Sequence, residues 1–324
     1  MASSAAGYCC VVLAVLLAFS PAYGQLSENY YASKCPSLDL GGIVRKELNK
    51  TLPSDPRMGA SLLRLHFHDC LSRSVGSASR SGACPSELEP AGCDASVLLD
   101  DDASRGIDSE KNASPNANSL RGFDVIDRIK AAVEANCSHA VSCADILAVA
   151  AREAVVALGG QGWTVRLGRR DSTTASRAQA EADLPSPDSG NTTLLAAFAK
   201  KGFTSSWELA ALSGAHTVGR TQCQFADNPG IVCLLFAPSS LQPLDVSTPD
   251  RFDNAYYGEL VKGNGVLHSD RVLVDGELGS FVRSYGASPA LFAADFAKAM
   301  VKMSELGALT GASGQIRLNC NKLN

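Results

Sequence analysis

The chain has 324 residues, 45% of them hydrophobic and 19% charged, with a formal net charge of −4. This is the composition of a folded globular protein, long enough for one large domain or two smaller halves. No Lys/Arg run is present to hold a polyanion, which argues against nucleic acid. No stretch beyond the leader approaches membrane-spanning length, which argues against a membrane protein.

The leader, MASSAAGYCCVVLAVLLAFSPAYG, holds twelve apolar residues from Tyr8 to Phe19. That run is too short for a bilayer and right for a secretory signal core, with Ala22 and Gly24 suited to cleavage. It lacks the usual Lys or Arg before the apolar run. The expected division is a signal peptide at 1–24 and a mature domain at 25–324. The mature part keeps nine cysteines without paired CxxC spacing: Cys35, Cys70, Cys84, Cys93, Cys137, Cys143, Cys223, Cys233 and Cys320. Such scatter points to disulfides in an oxidising compartment, with one thiol left over. Asn49, Asn112, Asn136 and Asn191 each open an N-x-S/T acceptor.

Hydrophobic periodicity predicts helices at 39–51, 56–70, 120–135, 142–158, 192–201, 205–218, 253–262, 278–285 and 289–306. The best strand pattern is WTVRLG at 163–168, so the fold is expected to be mainly α with minimal β. Asp55 is placed to cap the 56–70 helix, with Pro56 at its first position. That helix carries LLRLHFHDC at 62–70. Arg64 and His68 are four apart and share a face. His66 sits above Leu62 and Leu63 and reads as a core histidine bonded to backbone. Residues 71–92 are rich in Ser, Gly and Ala, have no hydrophobic period, and read as a flexible surface insertion. Further on, ELAALSGAHTVG at 208–219 follows a Ser205/Glu208 capping box. His216 lies on the apolar stripe of Leu209 and Leu212, and Gly219 can end the helix. A histidine there is, taken alone, a structural one.

Together, LLRLHFHDC and ELAALSGAHTVG resemble the plant secretory (class III) haem peroxidase family. The resemblance continues through GCDASVLL at 92–99, SEKNASPNANSLRGFDVID at 109–127, VSCADILAVAAR at 141–152, LGRRDS at 167–172, FDNAYY at 252–257, SD at 269–270 and GQIRLNC at 314–320. It implies about ten helices in two halves around a buried haem b, with hydrogen peroxide and small phenols as substrates. Arg64, His68 and Asn116 would be catalytic. His216 would bind the iron, with Asp270 as its hydrogen-bond partner. Asp69, Gly92, Asp94 and Ser96 would hold a distal calcium, with Glu110 linked to it indirectly. Thr217, Asp245, Thr248, the Arg251 backbone and Asp253 would hold a proximal calcium. Pro185, in LPSP, matches a proline at the substrate edge; it is equally readable as a turn proline. The implied disulfides are Cys35–Cys137, Cys70–Cys93, Cys143–Cys320 and Cys223–Cys233, with Cys84 spare.

Two segments depart from the family. Twenty-two residues separate Cys70 from Cys93, where relatives of this type carry few, so 71–91 is an atypical insertion. It interrupts the distal calcium loop, where Pro90 is the nearest substitute carbonyl. Loop closure alone adds only roughly 1–2 kcal/mol. Only nine residues (224–232) separate Cys223 from Cys233, where the family has a long loop, so Asp245 must still reach Thr217. Either segment could also reflect an error in the gene structure. The expectation is a secreted, monomeric phenol-oxidising peroxidase of the cell wall, active in phenol polymerisation, peroxide removal and oxidative stress. The short tail after Cys320 favours the apoplast over vacuolar routing. One alternative is a haem-binding but catalytically weak secreted protein. Another is zinc or non-haem metal at H-x-H-D, which the divergent directions of His66 and His68 on a helix disfavour.

Overall fold

The structure is a computed structural model that describes residues 26–72, 92–235 and 237–324. The expected signal peptide, Pro90, Cys84 and nearly all of the 71–91 insertion lie outside the described residues. Twelve α-helices occur among the described residues. They are α1 (Leu40–Thr51), α2 (Arg57–Leu71), α3 (Phe123–Asn136), α4 (Cys143–Ala157), α5 (Arg177–Asp183), α6 (Asn191–Lys200), α7 (Ser206–Ser213), α8 (Ile231–Leu235), α9 (Ala255–Val261), α10 (His268–Arg271), α11 (Gly276–Ala287) and α12 (Pro289–Ser304). Two three-residue strands, β1 (Arg220–Gln222) and β2 (Leu241–Pro243), pair antiparallel with Thr221 opposite Gln242. The fold is mainly α, as the periodicity predicts. No helix among the described residues is long and apolar enough to cross a membrane.

Two apolar cores divide the molecule. One is built on α1, α3 and the faces of α2 and α4 that carry Leu62, Leu65 and Ile146. The other gathers α7, α9, α11 and α12 against Leu63, Cys70, Ala151 and Val155 from the opposite faces of the same two helices. The reason is periodic: successive apolar residues on a helix fall about 100° apart, so a helix apolar on two sides must be covered on both. α2 is therefore a partition wall, with Arg64 exposed on it and His68 buried one turn on.

The halves are locked by buried charge. Arg169 and Asp145 are both fully buried and pair at 2.8 Å, and the Arg169 Nε donates to the Ser304 carbonyl at 2.7 Å. Tyr31 Oη donates to the other Asp145 oxygen at 2.6 Å. Removing one partner from such a pair leaves an uncompensated buried charge and costs about 3–5 kcal/mol. The disulfides are Cys35–Cys137, Cys70–Cys93, Cys143–Cys320 and Cys223–Cys233, the same four pairs the resemblance implies.

Three local expectations fail. Residues 163–168 form no strand: the segment has a single bridge, Leu167 to Ser27, because no second strand lies alongside it. Asp55 does not cap α2; its carboxylate pairs with Arg121, and Pro56 already has helical dihedrals. The 205–218 helix stops at Ser213 and tightens into a 3-10 turn over Gly214–Thr217. The Tyr257 hydroxyl and Phe292 leave no room for a side chain at Gly214, where the turn begins. The short helices α5, α8 and α10 have too few residues to display a period.

Candidate active site

α2 and the 110–119 segment build one wall of the site. His68 is buried, and its Nδ1 lies 2.6 Å from Asn116 Oδ1. The Asn116 Nδ2 donates to the Glu110 carbonyl at 2.8 Å. That second bond fixes which way the amide faces, so its oxygen must receive a proton from His68 Nδ1, and Nε2 keeps its lone pair. Burial, and then the nearby Arg64 charge, hold His68 well below the ordinary histidine range, against the opposing Asn116 bond. His68 is consequently neutral at ordinary pH. Arg64 Nη2 donates to the Pro115 carbonyl at 3.0 Å and to Ser119 Oγ at 3.1 Å. Burial, with Arg57 nearby, lowers Arg64 to about 10, still fully charged at neutral pH.

The facing wall is the 3-10 turn that follows α7. His216 Nδ1 lies 2.7 Å from Asp270 Oδ1, and 36% of the His216 side chain stays open. The same Asp270 oxygen accepts from Tyr256 Oη at 2.8 Å, and Asp270 Oδ2 from the Leu267 N–H at 3.4 Å. Burial pulls His216 down, but the Asp270 charge and hydrogen bond prevail and raise it. The two walls converge. A side chain added at Gly219, three residues after His216, would meet Ala60 Cβ on α2, one turn before Arg64, at 3.2 Å. The Arg64 charge is felt by both His68 and His216. With Nδ1 committed to a buried carboxylate, His216 offers Nε2 to a metal, an arrangement typical of imidazole ligands.

Two oxygen-rich clusters flank these walls. Asp69, Asp94 and Glu110 are all fully buried. Asp69 accepts from the Ala95 N–H at 2.9 Å and the Val97 N–H at 3.4 Å, Asp94 from the Ser96 N–H at 3.1 Å, and Glu110 from Ser72 Oγ at 2.7 Å. The Ser96 hydroxyl is buried with no hydrogen-bond partner among the described residues. Burial, and then the Asp94 charge, push Asp69 well above the carboxylate range. Three buried acids and one orphaned hydroxyl suit a hard cation. Gly92 and Cys93 bring the chain past them with positive φ. On the other side, Thr217 Oγ1 meets Asp245 at 3.2 Å and Asp253 at 3.4 Å, and Thr248 Oγ1 meets the same carboxylates at 3.3 and 3.0 Å. Asp245 thus reaches Thr217 across the shortened 224–232 segment. Arg251 sits in the turn between Thr248 and Asp253, its N–H on the Thr248 carbonyl.

The remaining residues fall outside this space. His66 is buried against the Cys70 sulfur at 3.7 Å, not against backbone as expected, and burial lowers it to about 3. His66, Cys70 and Cys93 lie close enough together to share an ion, but both sulfurs are spent in a disulfide. Pro185 lies half-buried after α5; two residues on, the Pro187 carbonyl accepts from the Ser269 N–H beside Asp270. Tyr256, Ser119 and Ser72 carry no role in the sequence reading. Only the pairing of distant segments reveals what they hold. A hollow of about 760 Å³ along 28–41 and 162–167 lies away from the two histidines.

The chain matches the family described as Peroxidase over residues 44–288. It is 46% identical to Peroxidase 2 of Oryza sativa subsp. japonica, covering all of both chains. It is 47% identical to Peroxidase 22.3 of the same rice over 94% of this chain and 93% of that one, and 45% identical to a peroxidase of Triticum aestivum over 97% of each. This chain therefore belongs to the class III plant peroxidase family and is a peroxidase.

Proposed function

We propose that this peroxidase reduces hydrogen peroxide at a haem b held between His216 and His68, and that small phenols supply the electrons in single steps. The opposed environments of the two histidines carry this reading. Family membership implies the haem, and the donor set fits it: an imidazole with one nitrogen on a buried carboxylate, and space beside the other. When bound, the haem would store the two oxidising equivalents that peroxide delivers.

The chain's own residues handle the proton. His68 Nε2, unprotonated because Nδ1 faces Asn116, accepts the proton from one peroxide oxygen and returns it to the departing one. General acid–base action of this kind contributes roughly 10²–10⁴-fold. Arg64 stabilises charge on the departing oxygen, a preorganised donor worth on the order of 3–4 kcal/mol. Asp270 orients His216 and makes it a stronger electron donor. Asp69, Gly92, Asp94 and Ser96, with Glu110 behind them, are proposed to hold one calcium. Thr217, Asp245, Thr248, the Arg251 carbonyl and Asp253 are proposed to hold the other. Pro185 is proposed to border the phenol entrance. The leader pattern, the disulfides and the four glycan acceptors support secretion to the cell wall, with phenol coupling and peroxide consumption as the roles.

The test is reconstitution of the oxidised, refolded chain with haem, measuring haem content and guaiacol turnover together. One haem per chain with turnover like that of its relatives is expected. Failure to take up haem would overturn the reading. Full haem with less than about a hundredth of such turnover, a barrier difference of about 2.7 kcal/mol, would favour the weakly catalytic alternative.

A further inference from the structure

An unbroken series of aromatic rings runs from His216 to the molecular surface. Tyr256 stands perpendicular to His216 with ring centres 6.2 Å apart. Tyr257 follows at 5.2 Å, Phe292 at 5.0 Å, Phe296 at 5.6 Å and Trp163 at 5.9 Å. The first four rings after His216 are buried, and Trp163 is 9% exposed. Trp163 lines the hollow of about 760 Å³ along the 28–41 segment, together with Tyr31 and Arg152.

Ordinary core packing accounts for each contact singly, since aromatic pairs favour these spacings. It does not account for where the series starts and stops. One end is the residue proposed to bind the iron, and the other borders a groove wide enough for an organic molecule. Three rings, Tyr256, Tyr257 and Trp163, are of the oxidisable kind. The Tyr256 hydroxyl donates to the Asp270 carboxylate, which can hold its proton while the ring is electron-deficient. Phe292 and Phe296 are too hard to oxidise and serve as packed medium between Tyr257 and Trp163.

The geometry points to a second donor-oxidation site in this groove, at Trp163, for phenolic molecules too bulky to enter the haem cleft. This inference rests on the haem reading above. The phenol O–H bond breaks: its electron refills Trp163, its proton passes to solvent, and a phenoxyl radical leaves. Trp163 has by then given its own electron inward through Tyr257 and Tyr256 to the peroxide-oxidised cofactor. Two such transfers consume one hydrogen peroxide and yield two waters and two phenoxyl radicals.

The experiment uses the haem-loaded full chain. Wild type is treated with peroxide and a nitroso spin trap without donor, digested, and its peptides are weighed. A trap adduct on Trp163 is expected; its absence would overturn the proposal without any variant having to fold. Wild type and Trp163→Phe are then compared on guaiacol and on a phenol tethered to a large polymer. The variant is expected to lose about tenfold or more on the tethered phenol, a barrier change of about 1.4 kcal/mol, and to keep guaiacol turnover. Equal rates on the tethered phenol, or equal loss on both donors, would overturn the relay. A wild type that binds haem and oxidises guaiacol but forms no adduct sinks the relay alone; one that does neither sinks the haem reading.

Discussion

His68 and His216 are the same side chain in two pockets, and what holds Nδ1 separates them. His68 faces an amide oxygen, beside an arginine, and is held neutral. His216 faces a carboxylate and is raised. A neutral acceptor leaves an imidazole free to exchange a proton. A charged one makes it an electron-rich ligand. On the proposed reading each histidine takes its role from its partner, and the partner lies 48 residues away in one case and 54 in the other.

The sharpest way to break this contrast is to remove each imidazole. His216→Ala is expected to abolish haem retention, read as loss of the Soret band. His68→Leu should retain haem and lose roughly 10²–10⁴-fold in turnover. Equal haem loss in both would erase the distinction. Next in size, Asp270→Asn should cost about 10–100-fold in activity or cofactor affinity. If that variant matched wild type, the carboxylate would have no part in setting the role of His216. The flanking clusters predict a smaller effect on stability. Chelation of calcium should lower the melting temperature, and restoring it to a hundredfold excess over its dissociation constant should return about 2.7 kcal/mol. A melting curve indifferent to chelator would remove calcium from both clusters.

A stability effect of similar size to the calcium one concerns the other buried histidine. His66 titrates near 3 when folded and near 6.5 when unfolded, so unfolding takes up a proton between those values. Its contribution is intact above pH 6.5 and is lost as pH falls toward 3, by about 1.4 kcal/mol per pH unit. Denaturant titrations from pH 6.5 to 4 should show a shallower decline for His66→Gln than for wild type. Parallel declines would mean that His66 titrates normally.

The long helices were legible in the sequence because their apolar faces repeat. Arg64 and His68 could be placed on one face from spacing alone. Haem could not be read from any period; it required the ordered motifs. The helix break at Ser213 was not legible, because its cause is the Tyr257 hydroxyl and Phe292, packed from distant segments against Gly214. The 163–168 alternation looked like a strand, yet Gly168 and Arg169 spend their N–H groups on the Asp145 carboxylate instead of a ladder. Tyr256 stood in a quoted motif without a role, since nothing local says which carboxylate its hydroxyl will meet.

The Cys143–Cys320 clasp has a consequence for biosynthesis. Its halves are 177 residues apart, and Arg169 must also wait for the Ser304 carbonyl before its guanidinium is fully held. A chain emerging from the ribosome therefore cannot be sealed by its leading half alone. The first core stays open to oxidoreductases and chaperones until Cys320 has been made, and a transcript truncated before Cys320 would yield a product with an unmated thiol at the start of α4.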